Sequence, residues 1–381
     1  MHKKIRLTLG ALALGWLAMG SVAEAADTLP AGAVLVPRGL DPSGRYLLAL
    51  HKDGAGCSTL ERYTRGGGGW AADGSIGGEA SPCRPLAVAA GGATAVLYDY
   101  GGDRATVVGG LDGSLTRAGS LVLSGSKAFA NPPPPGVAVS AAGDAILLGA
   151  PNYECKYGVP LKRCGVAELF LAAGGTWRQA DTIAFPEGGP FNVEFGHALA
   201  VGNAGALIAV GGPGKSGDQG EVYLYERQTD GHLQEAGVLV PDTRGEASFG
   251  SDIAMSADGL VIAVGGDQAV YLFGRDAKGW AGLARVAAPE ARAGYFGASV
   301  ALSSDGSRLL VGAPRATCKS GPSRCGAAYL FQRQGAGWAL KDSLDAPVPT
   351  PETDFGYAVA LDKAGRMAAV QGKEAYLFEL N

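Results

Sequence analysis

The chain has 381 residues, a formal net charge of −4 and 18% charged residues, which leaves no basic footprint for nucleic acid. Hydrophobic residues make up 47%, too many for a disordered chain. Its 62 glycines are more than twice the usual ~7% yet follow no Gly-X-Y period, which excludes collagen and points to tight turns between short strands.

Residues 1–25 read as a secretory signal. Lys3, Lys4 and Arg6 precede an apolar run from Leu7 to Met19, and Ala23-Glu24-Ala25 supplies small residues at the cleavage spacing. The run falls well short of the ~20 residues a membrane span needs. No later stretch is long and apolar enough to span, so the mature chain is expected in the periplasm or outside the cell. No cysteine follows the cleavage point to carry a lipid.

An oxidising compartment makes the six cysteines candidates for disulfides. Fifteen connectivities are possible. Spacing favours local pairs, Cys57–Cys83, Cys155–Cys164 and Cys318–Cys325. With four histidines and no CxxC, no metal site is expected, and no cofactor.

After the signal, residues 31–37 (AGAVLVP) form a short apolar strand. Residues 38–80 and 84–121 keep a degenerate strand–turn–strand rhythm. Asn131 and Pro132 to Pro135 make a stiff connection. Residues 136–151 (GVAVSAAGDAILLGAP) are clearer and lead to Glu168-Leu169-Phe170.

From there the period is plain. Phe195-Gly196, Phe249-Gly250, Phe296-Gly297 and Phe355-Gly356 open similar units at intervals of 54, 47 and 59 residues. Each continues as strand, small polar turn, strand, then an aromatic strand at 223–225, 271–273, 329–331 or 376–378. A fourth strand begins near Trp177, Trp280 or Trp338, and Trp70 fits the same pattern.

Seven such units, approximately 38–80, 84–121, 136–182, 195–238, 249–286, 296–344 and 355–381, predict one all-β domain over 26–381. It is a seven-bladed β-propeller of four-stranded blades. The last unit stops after its third strand. Residues 31–37 resemble 236–241 (AGVLVP), a fourth strand, so they are predicted to complete the last blade and close the ring.

Phe-Gly, Gly-Ala-Pro and the aromatic third strand resemble the FG-GAP repeat of integrin α-subunit N-terminal propellers, in the bacterial secreted form. The resemblance covers 136–381 well and 31–135 loosely. It implies the propeller fold and a ligand face built from two loop sets: second-to-third-strand loops and blade-to-blade connections. Calcium loops of integrin-like blades carry several carboxylates. Here the hairpins at 141–144, 256–259 and 303–306 carry one each, so turns are expected.

Other motifs read blandly. Residues 209–216 (AVGGPGKS) approach a phosphate-binding loop, but Ala209 replaces its first glycine and a strand follows instead of a helix. There is no G-x-S-x-G and no H-E-x-x-H, and the histidines are scattered, His51 in unit 38–80 and His197 and His232 far apart in unit 195–238. The recurring tryptophans suit packing.

The two short cysteine loops are cationic and aromatic. One offers Tyr153, Lys156, Tyr157, Lys162 and Arg163, the other Arg315, Lys319 and Arg324. Blade connections add Phe191, Asn192 and Glu194, and Arg292 and Tyr295. The expected function is a non-enzymatic module that binds a protein or glycan through this face. Two alternatives stand beside it: a polysaccharide-active enzyme with carboxylates at the channel mouth, and a structural subunit of an envelope assembly.

Overall fold

Alternating apolar residues bounded by glycine- and aspartate-rich turns give antiparallel strands, each joined to the next in sequence. The computed structural model describes residues 4–6, 25–29, 33–40, 45–52, 58–66, 69–77, 86–99, 104–123, 136–151, 153, 164–185, 193–214, 220–241, 247–290, 294–318, 324–347 and 353–381.

Seven sheets follow in chain order, here blades 1 to 7, and strand order within each follows the sequence except for two N-terminal strands added at the outer edges of blades 4 and 7. They span residues 33–77, 86–122, 137–184, 199–240, 253–287, 299–344 and 358–379. Blade 6 is representative, with an inner strand Ser299–Leu302, a second Arg308–Ala313, a third Ala327–Gln334 and an outer Gly337–Leu344. Because the strands alternate in direction, loops segregate. One end, the hairpin face, carries the inner-to-second and third-to-outer turns. The other, the connection face, carries the second-to-third loops and the blade-to-blade connections.

The ring closes by packing. Each of seven apolar clusters combines residues of two neighbouring blades. The cluster of Leu47, Ala49 and Tyr63 with Ala369 and Leu377 joins blade 1 to blade 7. Inner and second strands use small or branched residues because both faces are covered. Ala145–Ala150 and Leu207–Gly212 are buried along their whole length.

Residues 31–37 do not complete the last blade. Ala33–Leu40 is instead the inner strand of blade 1, paired antiparallel with Tyr46–Lys52. The outer position of blade 7 is taken further upstream, by Ala25–Thr28 against Ala375–Glu379. A short apolar run fits an inner strand as well as an outer one, so its likeness to residues 236–241 could not fix its place. Lys4–Arg6 runs parallel to the outer strand of blade 4. Among the described residues, no helix is long and apolar enough to cross a membrane.

A bulge recurs in the outer strand of most blades. In blade 6 Leu330 pairs Asp342 while Phe331 pairs Leu340, and blades 1, 3, 4 and 5 shift at the matching pair. The tryptophans are packing elements at the start of these strands. Trp280 lies against the blade 4–5 cluster and Trp338 against the blade 5–6 cluster.

Candidate ligand-binding face

Each Phe-Gly is the centre of a tight turn on the connection face. The amide after the glycine donates to the carbonyl before the phenylalanine: His197 to Glu194 (2.9 Å), Ser251 to Ser248 (2.9 Å), Ala298 to Tyr295 (3.2 Å) and Tyr357 to Asp354 (3.0 Å). The glycines take positive φ, from 90° at Gly250 to 108° at Gly297, as the third residue of such a turn requires.

The phenylalanines are fully buried and meet the aromatic third strand of their own blade. Phe249 stands edge-on to Tyr271 at 5.4 Å and Phe273 at 6.2 Å, and Phe296 lies 5.7 Å from Tyr329 and 6.0 Å from Phe331.

The residue before each of these phenylalanines is held in the left-handed region without being glycine: Glu194 (φ 56°), Ser248 (60°), Tyr295 (57°) and Asp354 (48°). Of these four, Tyr295 and Asp354 are exposed at the rim of the connection face, Ser248 is half-buried and Glu194 is buried. Tyr295 is 45% exposed, and the Arg315 guanidinium lies 4.1 Å from its ring centroid. The main chain couples the same two segments, since the Arg315 amide donates to the Gly294 carbonyl (3.2 Å). Among the described residues the Arg315 guanidinium has no carboxylate partner.

Arg315 opens the loop closed by the Cys318–Cys325 disulfide. Cys325 and Gly326 amides both donate to the Ala316 carbonyl, and the Cys325 carbonyl accepts from Phe355 of the next blade. The clipped loop therefore also seats the blade 7 Phe-Gly turn. Blade 3 repeats the arrangement: Cys164 and Gly165 amides both donate to the Tyr153 carbonyl, and Cys164 is disulfide-bonded.

The expected site residues divide into two sectors. Tyr295, Arg315 and the exposed Arg324 belong to blades 5 and 6. Tyr153 and Glu194 belong to blades 3 and 4, and both turn inward. Tyr153 packs on the blade 2–3 cluster, and the buried Glu194 carboxylate lies 3.8 Å from His197 Nδ1. Lys156, Tyr157, Lys162, Arg163, Phe191, Asn192, Arg292 and Lys319 lie outside the described residues, as do Cys57, Cys83 and Cys155. Sequence reading missed Tyr357, which is 67% exposed on the same face. Its signal was an aromatic directly after Phe-Gly, where the other blades have His197, Ser251 and Ala298.

The hairpin face is different. A cavity of ≈ 110 Å³ on the ring axis is lined from all seven blades, among them Tyr46, Gly92, Val201, Met255, Ser304 and Asp362. Asp362 is its carboxylate, and Oδ1 accepts from the Arg366 amide (2.6 Å) and the Met367 amide (2.9 Å). The other hairpin aspartates also bind their own turns. Ser256 Oγ donates to Asp258 Oδ1 and Ser303 Oγ to Asp305 Oδ1, each at 2.6 Å. Burial pulls the Asp305 carboxyl upward, but hydrogen bonds from Ser303 and Ser307 outweigh it and hold the pKa below its usual value. Among the described residues no three His, Cys, Asp or Glu side chains gather as a metal site. Residues 209–212 of the phosphate-loop lookalike belong to the second strand of blade 4, Leu207–Gly212, Lys215 and Ser216 lie outside the described residues, and the next described element is the strand Glu221–Arg227.

Residues 280–331 match the FG-GAP repeat family. The matched stretch runs from the outer strand of blade 5 through the Phe296-Gly297 turn to the third strand of blade 6. No curated protein sequence matches significantly. Among solved structures, the chain is similar to the β-propeller domain of Cps50 (Swd1) from Myceliophteria thermophila, with TM-score 0.61 and 10% identity, covering 94% of this chain and 100% of that one. It is also similar to a protein from Lactobacillus plantarum, with TM-score 0.57 and 14% identity, covering 88% and 89%. The C-terminal WD40 domain of Sif2 matches with TM-score 0.57 and 12% identity, covering 96% and 100%. At these identities the likeness is one of fold.

Proposed function

We propose that this chain, an FG-GAP-type seven-bladed β-propeller, is an exported, non-enzymatic binding module that recognises a protein or glycan through its connection face. One observation carries the reading: the exposed Arg315 guanidinium is stacked on Tyr295, has no described carboxylate partner, and sits beside a disulfide-closed loop. A side chain already held in place loses little entropy when a ligand arrives. The axial cavity supports hydrolysis less well, because two-carboxylate chemistry needs a facing pair. The carboxylate lining that cavity, Asp362, is engaged by its own turn. Export is supported by the signal-like residues 1–25 and by the Cys318–Cys325 disulfide.

The test compares the mature protein with an Arg315→Ala/Arg324→Ala variant as bait against envelope fractions and a glycan panel. Selective capture by the wild type and its loss in the variant is the expected result. Equal capture by both would remove this face from the function. N-terminal sequencing of the exported protein should begin at Ala26, and a chain retaining residues 1–25 would overturn the export reading.

A further inference from the structure

The same seam specifies a ligand chemistry. We infer that the connection face binds a carboxylated polysaccharide, with a uronate carboxylate on the Arg315 guanidinium and sugar-ring surface against the exposed tyrosines. This deepens the binding-module reading and rests on it.

Contact with the Tyr295 ring holds the Arg315 guanidinium in place, and among the described residues its N–H donors have no hydrogen-bond partner. A planar fork of N–H groups matches a carboxylate through two parallel hydrogen bonds, which a lysine cannot offer. Both partners are anchored. Tyr295 belongs to a turn closed by the Ala298 amide, and the Ala316 amide donates to the Ala313 carbonyl at 3.0 Å, next to Arg315. Arg324 is exposed in the same disulfide loop, so a second described cation lies within one loop's length. A polymer with a carboxylate on each sugar can use both.

The choice of a glycan over a protein follows from what the described part of the face carries. Protein interfaces centre on buried apolar and aromatic anchors. Among the described residues the other exposed large hydrophobics lie elsewhere: Val122 and Leu340 on outer strands and Leu260 in a hairpin-face turn. The exposed large hydrophobics of the connection face are Tyr295 and Tyr357, which carry hydroxyls. Among the described residues the face thus offers aromatic surface and a planar cation without an aliphatic anchor, which suits a sugar ring bearing a carboxylate.

The experiment is calorimetric titration of the mature protein with three probes at fixed ionic strength: oligogalacturonate, its methyl ester and poly-glutamate. Oligogalacturonate should bind, its methyl ester should not, and poly-glutamate should bind more weakly. Arg315→Ala should weaken oligogalacturonate binding about tenfold or more, the scale of a lost charge-assisted bond. Arg315→Lys, which keeps the charge, should recover only part of that loss. Lys278→Ala, an exposed cation in a hairpin-face turn, should change nothing.

No oligogalacturonate binding, equal binding of the methyl ester, or unchanged binding in Arg315→Ala would each overturn the inference. Equal losses in Lys278→Ala and Arg315→Ala would reduce it to non-specific charge attraction and overturn it too. Tighter binding of poly-glutamate would point to an acidic protein, which sinks the glycan assignment but leaves the binding face standing. Melting curves confirm that each variant is folded.

Discussion

Gly312 of blade 6 lies so close to Gly356 of blade 7 that a Cβ at position 312 would stand 2.0 Å from the Gly356 carbonyl oxygen. The contact recurs at 2.1 Å for Gly149 with Gly196, 2.3 Å for Gly211 with Gly250 and 2.1 Å for Gly265 with Gly297. The glycine of each Phe-Gly thus touches the second-strand glycine of the preceding blade. The two halves of the repeat motif therefore meet across a blade seam as well as along the chain. Gly312→Ala should cost about 3 kcal/mol or more, because main chain has to move. Gly337→Ala, whose nearest atom would be 3.8 Å away, should be nearly neutral. Urea unfolding of the two variants checks the contrast.

The buried phenylalanines fill the same seams. Phe296→Ala removes a ring in contact with Tyr329 and Phe331 and should destabilise by about 3–5 kcal/mol. Phe296→Leu should cost less, since much of the volume remains. Hydrogen exchange should accelerate first in the third strand of blade 6, Ala327–Gln334, before the rest of the ring.

From Phe195 onward the architecture was legible because each structural need recurs in register: a glycine at positive φ, a buried ring, and small residues at the seam. Blades 1 and 2 lack that signature and blade 3 carries only part of it. In blade 3 the buried Glu168 stands where other blades have Tyr223, Tyr271 and Tyr329. The place of residues 31–37 was not legible, since composition does not say which edge of a sheet an apolar run takes. The stack of Arg315 on Tyr295 joins residues from two blades, and no spacing along the chain encodes it. The left-handed backbone at Glu194, Ser248, Tyr295 and Asp354 was also invisible, because none of them is glycine.

That backbone carries a prediction. A non-glycine residue in the left-handed region costs about 1–3 kcal/mol unless its surroundings compensate. Asp354→Gly and Tyr295→Gly should therefore raise the melting temperature. Tyr295→Gly should also free Arg315 from its stack and weaken binding at this face, whereas Asp354→Gly should leave binding intact. A drop in melting temperature for both would show that the side chains compensate for the strain.

Stability should form a plateau in pH with two falling limbs. Asp73, hydrogen-bonded by Arg62, and Asp305, whose turn hydrogen bonds outweigh burial, both have pKa values lowered from 3.8. Their stabilisation is complete above that value and is lost as pH falls through the lower folded values. Tyr223 and Tyr376 are raised from 10.0, first by burial and then by Glu221 and Glu374 respectively. Their contribution is present below 10 and is lost as pH rises beyond it. Urea midpoints across pH should show Asp305→Asn flattening the acid limb and Tyr223→Phe the alkaline one.

Arg62 offers the sharpest test of how the irregular blades are held. It sits on the third strand of blade 1, where blades 3, 4, 5 and 6 have Leu169, Leu224, Leu272 and Leu330. Its Nε and Nη2 donate to Asp73, the extra residue of the blade 1 bulge, at 2.7 and 3.0 Å. Its Nη1 donates to the Leu111 carbonyl of blade 2 at 3.0 Å and to the Gly113 carbonyl. Asp73 is partly solvated and water can replace much of what it gives. The blade 2 carbonyls would lose their donor where water reaches poorly, at about 1–3 kcal/mol for each buried group left unmet. Arg62→Leu, though it restores the residue of the regular blades, should therefore destabilise more than Asp73→Asn. Its exchange signature should centre on residues 104–116 of blade 2. If Asp73→Asn proved the more costly, the ion pair and not the bridge to blade 2 would be what holds this seam.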